Sequence, residues 1–214
     1  MSDSRIEADH AAADKSQQRR EPTQARSRAR VEAILDAAEA VIGTNGVAGT
    51  TMSAIAERAE VSMASVYQYF PDLKAVIWAM SERFNAEVRA DLPELLGGIT
   101  GPEDARERVA AAVTEYHRRF SGRLGMRAIW TSSASDPELA AQNLNDSRAN
   151  GRAIAVALRD VSDLPAPELD RRAFLVAQLT GAAVSMAALT GDPEGDELIR
   201  SFARIAADAL IPPS

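Results

Sequence analysis

The residues of this chain best equipped for chemistry lie between Thr50 and Phe70, in the run TTMSAIAERAEVSMASVYQYF. Hydroxyls, one amide and two phenols recur there at short helical spacing, a set suited to hydrogen bonding with an external partner. Gln68 can pair bidentately with adenine, worth about 1 to 3 kcal/mol of discrimination, whereas Met63 and Ala64 offer only apolar contact to a thymine methyl. Thr50 or Thr51, at a helix start, can present hydroxyl and N–H groups to a phosphate. Tyr67 can donate a phenolic hydrogen bond to the same kind of group.

Two short helices and a tight turn are needed to hold these side chains. Ile55, Ala56, Ala59, Val61 and Val66 supply apolar residues on both sides of a break, and Thr51 and Ser62 stand where N-caps would open each helix. A second helix over about Met63 to Tyr69 buries Val66 and Phe70 and turns Met63, Ala64, Ser65, Gln68 and Tyr69 outward. This is helix-turn-helix patterning, in which the outward face of the second helix lies in the DNA major groove.

Three pieces occur in order: G-x-x-x-T-T from Gly46, I-A-x-x-A-x-V-S from Ile55, and Y-x-Y-F from Tyr67. Together they resemble the TetR family of bacterial transcriptional repressors, densely over about Ala33 to Leu73 and thinly beyond. The resemblance implies an all-α homodimer, with an N-terminal three-helix helix-turn-helix domain over residues 23–70. A helical-bundle ligand-binding and dimerisation domain follows over residues 71–214. It implies a palindromic double-stranded operator, a small-molecule effector that releases it, and repression as the commoner mode. Carried over position by position, Ser53, Met63, Ala64, Ser65, Gln68 and Tyr69 become base readers, and Thr50, Thr51, Tyr67 and Lys74 phosphate contacts. The chain departs from the family twice. The lysine usual three positions after the Y-x-Y-F aromatic is Leu73 here, with Lys74 one later. Glu60 occupies a turn position where glycine is usual, and a left-handed backbone there costs a residue with a Cβ about 1 to 2 kcal/mol.

The other elements read as support. Residues 1–22 are polar and alanine-rich and read as a disordered tail. Its second half leads into a basic run, Lys15, Arg19, Arg20, Arg26, Arg28 and Arg30, which suits either a DNA-contacting arm or a solvated helix start. From Thr23 a helix carries Val31, Ile34, Leu35, Ala38 and Ile42 on one stripe. Leu73, Val76, Ile77, Met80, Phe84, Val88 and Leu92 keep a three-four rhythm through one long helix that can join head to body. Asp136 and Pro137 open a helix polar in its middle (Gln142, Asn143, Asn145, Asp146, Asn150), read as a solvated face. The last two helices, about Glu168 to Leu189 and Glu194 to Leu210, have wide apolar faces rich in small residues, suited to a four-helix dimer interface.

For an effector, the candidate lining is Trp78, Phe84, Tyr116, His117, Phe120, Trp130 and Phe174, which suggests an apolar or aromatic molecule with one or two polar handles. No cofactor and no metal are expected. The chain has no cysteine, and His117 is the only histidine outside the tail. Glu115 and His117 are one residue too close for a di-iron Glu-x-x-His pair. No nucleophile elbow and no phosphate loop appear, so an all-helical enzyme has little support. A protein-binding adaptor that kept the helix-turn-helix scaffold is the other alternative.

The net charge of −7 does not contradict a DNA partner, because it is unevenly placed. Residues 15–74 hold eight Lys or Arg against seven Asp or Glu, and residues 75–214 hold fifteen against twenty. A near-neutral head predicts modest non-specific affinity and reliance on specific contacts and dimerisation. With no signal-peptide pattern and no uninterrupted apolar run of span length, a cytoplasmic address with no membrane contact is expected.

Overall fold

A computed structural model describes the backbone of residues 3–133 and 136–213, and side chains from residue 24 onward except Ser133. The described residues form the helices α1 (Asp3–Asn45), α2 (Met52–Arg58), α3 (Met63–Tyr69), α4 (Leu73–Leu95), α5 (Pro102–Ser121), α6 (Leu124–Ser133), α7 (Pro137–Leu158), α8 (Ala166–Thr190) and α9 (Glu194–Leu210). Among them there is no strand.

Three caps read from the sequence, Thr51, Ser62 and Asp136, do open their helices. The Thr51 and Ser62 hydroxyls accept from the N–H groups of Ala54 and Ser65, both at 3.2 Å. Asp72 accepts from Ala75 N–H at 2.8 Å and opens α4, and Asp136 accepts from Glu138 and Leu139 and opens α7. Each satisfies an N–H that the first turn cannot pair internally. The first helix differs from its expected start. It runs from Asp3 rather than Thr23, so residues 3–22 have helical backbone where a tail is expected, consistent with the helix propensity of their alanine, glutamate and arginine.

In the head, Ile34, Leu35, Ala38 and Ile42 of α1 are buried with Ile55 and Ala56 of α2 and Val66 of α3. One helix then leaves the head. α4 buries Val76, Ile77, Met80, Phe84 and Leu92 along one stripe, and at 1.5 Å per residue it is about 35 Å long. Its first turns belong to the head and its last turns to the body.

In the body, α7 packs on α8, α8 on α9, α9 on α5, and α6 on α1. At Gly151 the α7 and α8 backbones approach so closely that an added Cβ would stand 2.7 Å from the Phe174 Cα. α8 is long and apolar enough on average to cross a membrane by length and composition, although Gln178, Thr180, Gly181 and Ser185 interrupt its apolar run. One side of α8, with Leu169, Ala173, Val176 and Val184, is buried in the chain, and Leu175, Leu179, Met186 and Leu189 are exposed.

The middle of α7 is not the solvated face its polarity suggests. Gln142 and Asp146 are buried, and Asn150 is half-buried with a buried, unpartnered Oδ1. Asn145 alone of the five is fully exposed. The physical reason is spacing: residues 142, 146 and 150 recur every four positions and so share one face, which turns toward α4 and the interior.

Candidate functional site

The exposed side of α3 presents Met63, Ala64, Tyr67 and Gln68 to solvent, with Tyr67 51% exposed. Ser65 and Tyr69 are half-buried, and Tyr69 packs partly against the core, so the outward set is narrower than the sequence suggests. Seven residues leave room for only one fully buried anchor, Val66, which fixes the rotation of the helix. In the first motif helix Ser53 is exposed, as is Thr51, whose Oγ1 lies 3.3 Å from Ser53 Oγ. Thr50 is different. It is buried, and its hydroxyl donates to Gly46 O at 2.7 Å, which closes the α1–α2 turn and leaves presentation to Thr51.

The turn between α2 and α3 has Glu60 at φ 55°, the left-handed region expected there. Glu60 N–H donates to Glu57 O at 3.1 Å and Val61 N–H to Ala56 O at 3.0 Å, the paired closure that usually has glycine at this position. Lys74 faces the body. Its Nζ lies 3.2 Å from Asp136 and 2.5 Å from Glu138, and these partners, Glu138 first, hold its pKa above the ordinary lysine value. The displaced lysine therefore ties the start of α4 to the start of α7, and a phosphate has to compete for it. Arg26, Arg28 and Arg30 are exposed on α1, whereas the side chains of Lys15, Arg19 and Arg20 lie outside the described residues.

Head and body are joined by polar contacts as well as by α4. Arg83 on α4 bonds Glu32 and Asp36 of α1 at 2.9 and 2.8 Å. Glu39 of α1 accepts from the N–H groups of Gly125 and Met126 at 3.0 and 3.3 Å, so a head side chain caps the first turn of α6. Farther along α4, Asn85 Nδ2 donates to Asp146 Oδ2 at 2.7 Å, and Arg89 Nη1 to Asp146 Oδ1 at 3.2 Å. Burial, and then the neighbouring Glu82, raise the Asp146 pKa against the lowering effect of Arg89 and Asn85.

Among the described residues, α4, α5, α7 and α8 surround a partly open, mainly apolar cavity in the body, and the roughly 670 Å³ of space there includes open solvent. Val88, Leu92 and Leu95 of α4, Leu96 just after it, Val109 and Val113 of α5, Ile154 of α7 and Val176 of α8 make it mainly aliphatic. Tyr116, Asn150, Thr180, Asp91, Glu115 and Arg119 supply its polar groups.

Of the seven expected lining residues, Tyr116 reaches this cavity. Phe84, Tyr116, Phe120 and Trp130 gather beside it as one aromatic cluster with centroids 5.6 to 6.4 Å apart. Within it Phe84 and Phe120 are fully buried, and Trp130 lies so close to α8 that a Cβ on Gly181 would stand 2.5 Å from the indole. His117 instead ties α5 to α9, with Nε2 3.4 Å from Asp196 Oδ1. Trp78 is 43% exposed, and its carbonyl accepts from Gln142. Phe174 lines a separate surface hollow beneath the Arg148 guanidinium, 5.4 Å from its ring. The lining residues that sequence reasoning missed are mostly aliphatic and look like core; Asn150 alone had a readable signal, its four-residue spacing from Asp146.

Comparison with known proteins agrees with this architecture. The family model for bacterial regulatory proteins of the tetR family matches residues 34–77, and that for the tetracyclin repressor-like C-terminal domain matches residues 103–213. Among solved structures, a transcriptional regulator from Streptomyces coelicolor is 24% identical with a TM-score of 0.62, covering 83% of this chain and 98% of its own. A TetR-family regulator from Syntrophomonas wolfei is 14% identical with a TM-score of 0.69, covering 86% and 95%. FadR from Bacillus subtilis, in complex with stearoyl-CoA, is 16% identical with a TM-score of 0.62, covering 85% and 97%. No curated protein matches the chain in sequence.

Proposed function

This chain belongs to the TetR family of bacterial transcriptional regulators, and on that premise we propose that it is a homodimeric repressor released from a palindromic operator by a small, largely apolar effector. One observation carries the reading. The helix α4 begins beside the recognition helix α3 and ends as a wall of the aliphatic cavity, so a ligand there touches the same helix that packs against the head. In the DNA-bound form the two recognition helices of a dimer sit about 34 to 36 Å apart, matching successive major grooves. An effector that binds better when α4 is displaced spoils that spacing, with a coupling of about 1 to 3 kcal/mol being typical.

Gln68 is the principal base reader, with Met63 and Ala64 giving apolar contacts and Ser53, Ser65 and Tyr69 at the edges of the face. Thr51 and Tyr67 hold phosphates; Thr50 supports them from the turn, and Lys74 contributes only if it leaves Asp136 and Glu138. The exposed apolar side chains of α8, together with Ile205 of α9, support a dimer interface made by the last two helices. That role also accounts for the hydropathy of α8 without a membrane, and suits a soluble cytoplasmic protein. The stearoyl-CoA held by the FadR neighbour is one example of an apolar body accommodated by this fold.

The test is selection of bound sequences from a random duplex library by the full chain at a stated salt concentration, with sedimentation to fix the oligomer. A palindrome bound by a dimer is expected. No enrichment by folded, dimeric protein overturns the reading.

A further inference from the structure

The cavity's polar groups are unequally available, and that inequality bears on what can enter. Arg119 is the only cation lining it among the described residues, and its guanidinium is already engaged. It contacts Asp91 of α4, and its Nε donates to Glu115 Oε1 at 3.1 Å. Glu115 is held in turn by Arg118, whose Nε donates to Oε2 at 2.7 Å and whose Nη2 donates to Oε1 at 2.5 Å. These bonds, Arg118 first, lower the Glu115 carboxyl to about 2, so it remains ionised at neutral pH. The lining therefore shows an incoming group two carboxylates and one guanidinium that both of them occupy. With Arg118 and Arg119 both paired to these carboxylates, an incoming anion finds no free cation to answer it.

The group left wanting is an acceptor. Asn150 Oδ1 is buried and has no hydrogen-bond partner in the protein. Thr180, on the neighbouring wall, does not supply one, because its hydroxyl donates to Val176 O of its own helix at 2.7 Å. Tyr116 keeps its proton throughout the neutral range, since burial, with the charge of Asp146 adding to it, raises its pKa. A buried acceptor without a partner is a standing cost that an N–H or O–H brought by a ligand removes.

Resting on the effector reading of this cavity, we propose that it selects a predominantly apolar molecule that carries an O–H or N–H donor and no negative charge, the donor pairing with Asn150 Oδ1. Arg119 serves as a structural cross-link between α4 and α5 and not as an anion receptor. Aliphatic carboxylates are discriminated against although the wall suits their chains.

Four probes sharing one chain test this by calorimetric titration of the dimer: 1-decanol and its methyl ether, below their solubility limits, and decylamine and decanoate, below their micelle concentrations. Decanol and decylamine are expected to bind about tenfold tighter than decanoate. Asn150→Leu is expected to remove most of an about fivefold preference for decanol over its methyl ether, the size of one neutral hydrogen bond. Asp91→Asn combined with Glu115→Gln frees Arg119, and decanoate affinity then rises about tenfold; melting curves confirm that each variant is folded. Decanoate binding to the wild-type protein as tightly as decanol overturns the selectivity, while leaving the cavity as the effector site. An unchanged ether preference in folded Asn150→Leu overturns the role of Asn150. No binding by any probe overturns both the selectivity and the cavity reading, and operator selection, measured separately, reports on the DNA-binding reading alone.

Discussion

The exposed face of α3 and the middle of α7 are both polar, and they hold their polar groups under opposite constraints. On α3, Gln68 and Tyr67 stand in solvent on a helix fixed by one buried valine. On α7, Gln142 and Asp146 are buried, and Asp146 is bonded to Asn85 and Arg89 of α4. Water already satisfies the first set, so it is free to exchange water for DNA. The second set must be satisfied inside the protein, so its partners fix how α7 meets α4. Neither polarity nor a four-residue spacing separates these cases; what does is that α4 covers the α7 residues and none of the described residues covers the outward face of α3.

The contrast is sharpest at Asp146. Asp146→Ala leaves Asn85 Nδ2 and the Arg89 guanidinium without their acceptor, and is expected to cost about 2 to 3 kcal/mol, less than the roughly 3 to 5 kcal/mol of a fully buried pair because Arg89 is partly solvated. Urea unfolding with an unchanged m-value measures it. The pH dependence has a definite sign. Because the folded-state pKa of Asp146 is raised, ionisation disfavours the folded state. Its contribution therefore grows as pH falls from neutral toward the ordinary value of 3.8 and fades as pH rises through the folded-state pKa. The stability gap between wild type and variant should widen on mild acidification; a gap that narrows would mean the ion pair with Arg89 outweighs burial.

Gln68→Ala is the matching change on α3. Stability should stay within about 0.5 kcal/mol, while discrimination at one base pair of each half-site falls by about 1 to 3 kcal/mol. Competition binding against single-position operator variants reads this directly. If Gln68→Ala lowers the melting temperature as Asp146→Ala does, the division between outward and inward polar groups fails.

Tyr67→Phe has a smaller and more uniform effect. The exposed phenol can donate one hydrogen bond to a phosphate, so its loss should weaken binding by about 1 kcal/mol, roughly fivefold, on all sequences alike. A change in preference at one base pair would move Tyr67 from the holders to the readers. A larger loss on all sequences would point to a misplaced α3.

Much of the fold was legible because its signals are local. Thr51, Ser62, Asp72 and Asp136 announce their helices through a backbone bond to a residue two or three positions on, and α9 falls on its expected bounds because Pro193 and its apolar stripe mark them. The cavity was less legible. Its wall is valine and leucine, which a core and a ligand site use alike; of the expected aromatics only Tyr116 lines it, while Phe84, Phe120 and Trp130 pack with Tyr116 beside it. Lys74 was readable as displaced from its usual position, but its partners Asp136 and Glu138 lie some sixty residues away, beyond the reach of local pattern.

Glu60 gives the smallest expected effect and separates backbone from side chain within the head. Its φ of 55° requires a left-handed backbone with a Cβ, and the closure from Val61 N–H to Ala56 O holds it there. Glu60→Gly relieves about 1 to 2 kcal/mol of that strain but restores about 0.5 to 1 kcal/mol of entropy to the unfolded chain. The net expectation is a gain of about 0.5 to 1 kcal/mol, or about 2 °C in melting temperature for a chain of this size. Operator preference should be unchanged, since no base-reading side chain moves. Removing this exposed polar side chain is thus expected to stabilise the protein, whereas removing Asp146 destabilises it. If neither melting temperature nor affinity rises, the left-handed turn costs this sequence nothing, and the glutamate is as good a residue there as glycine.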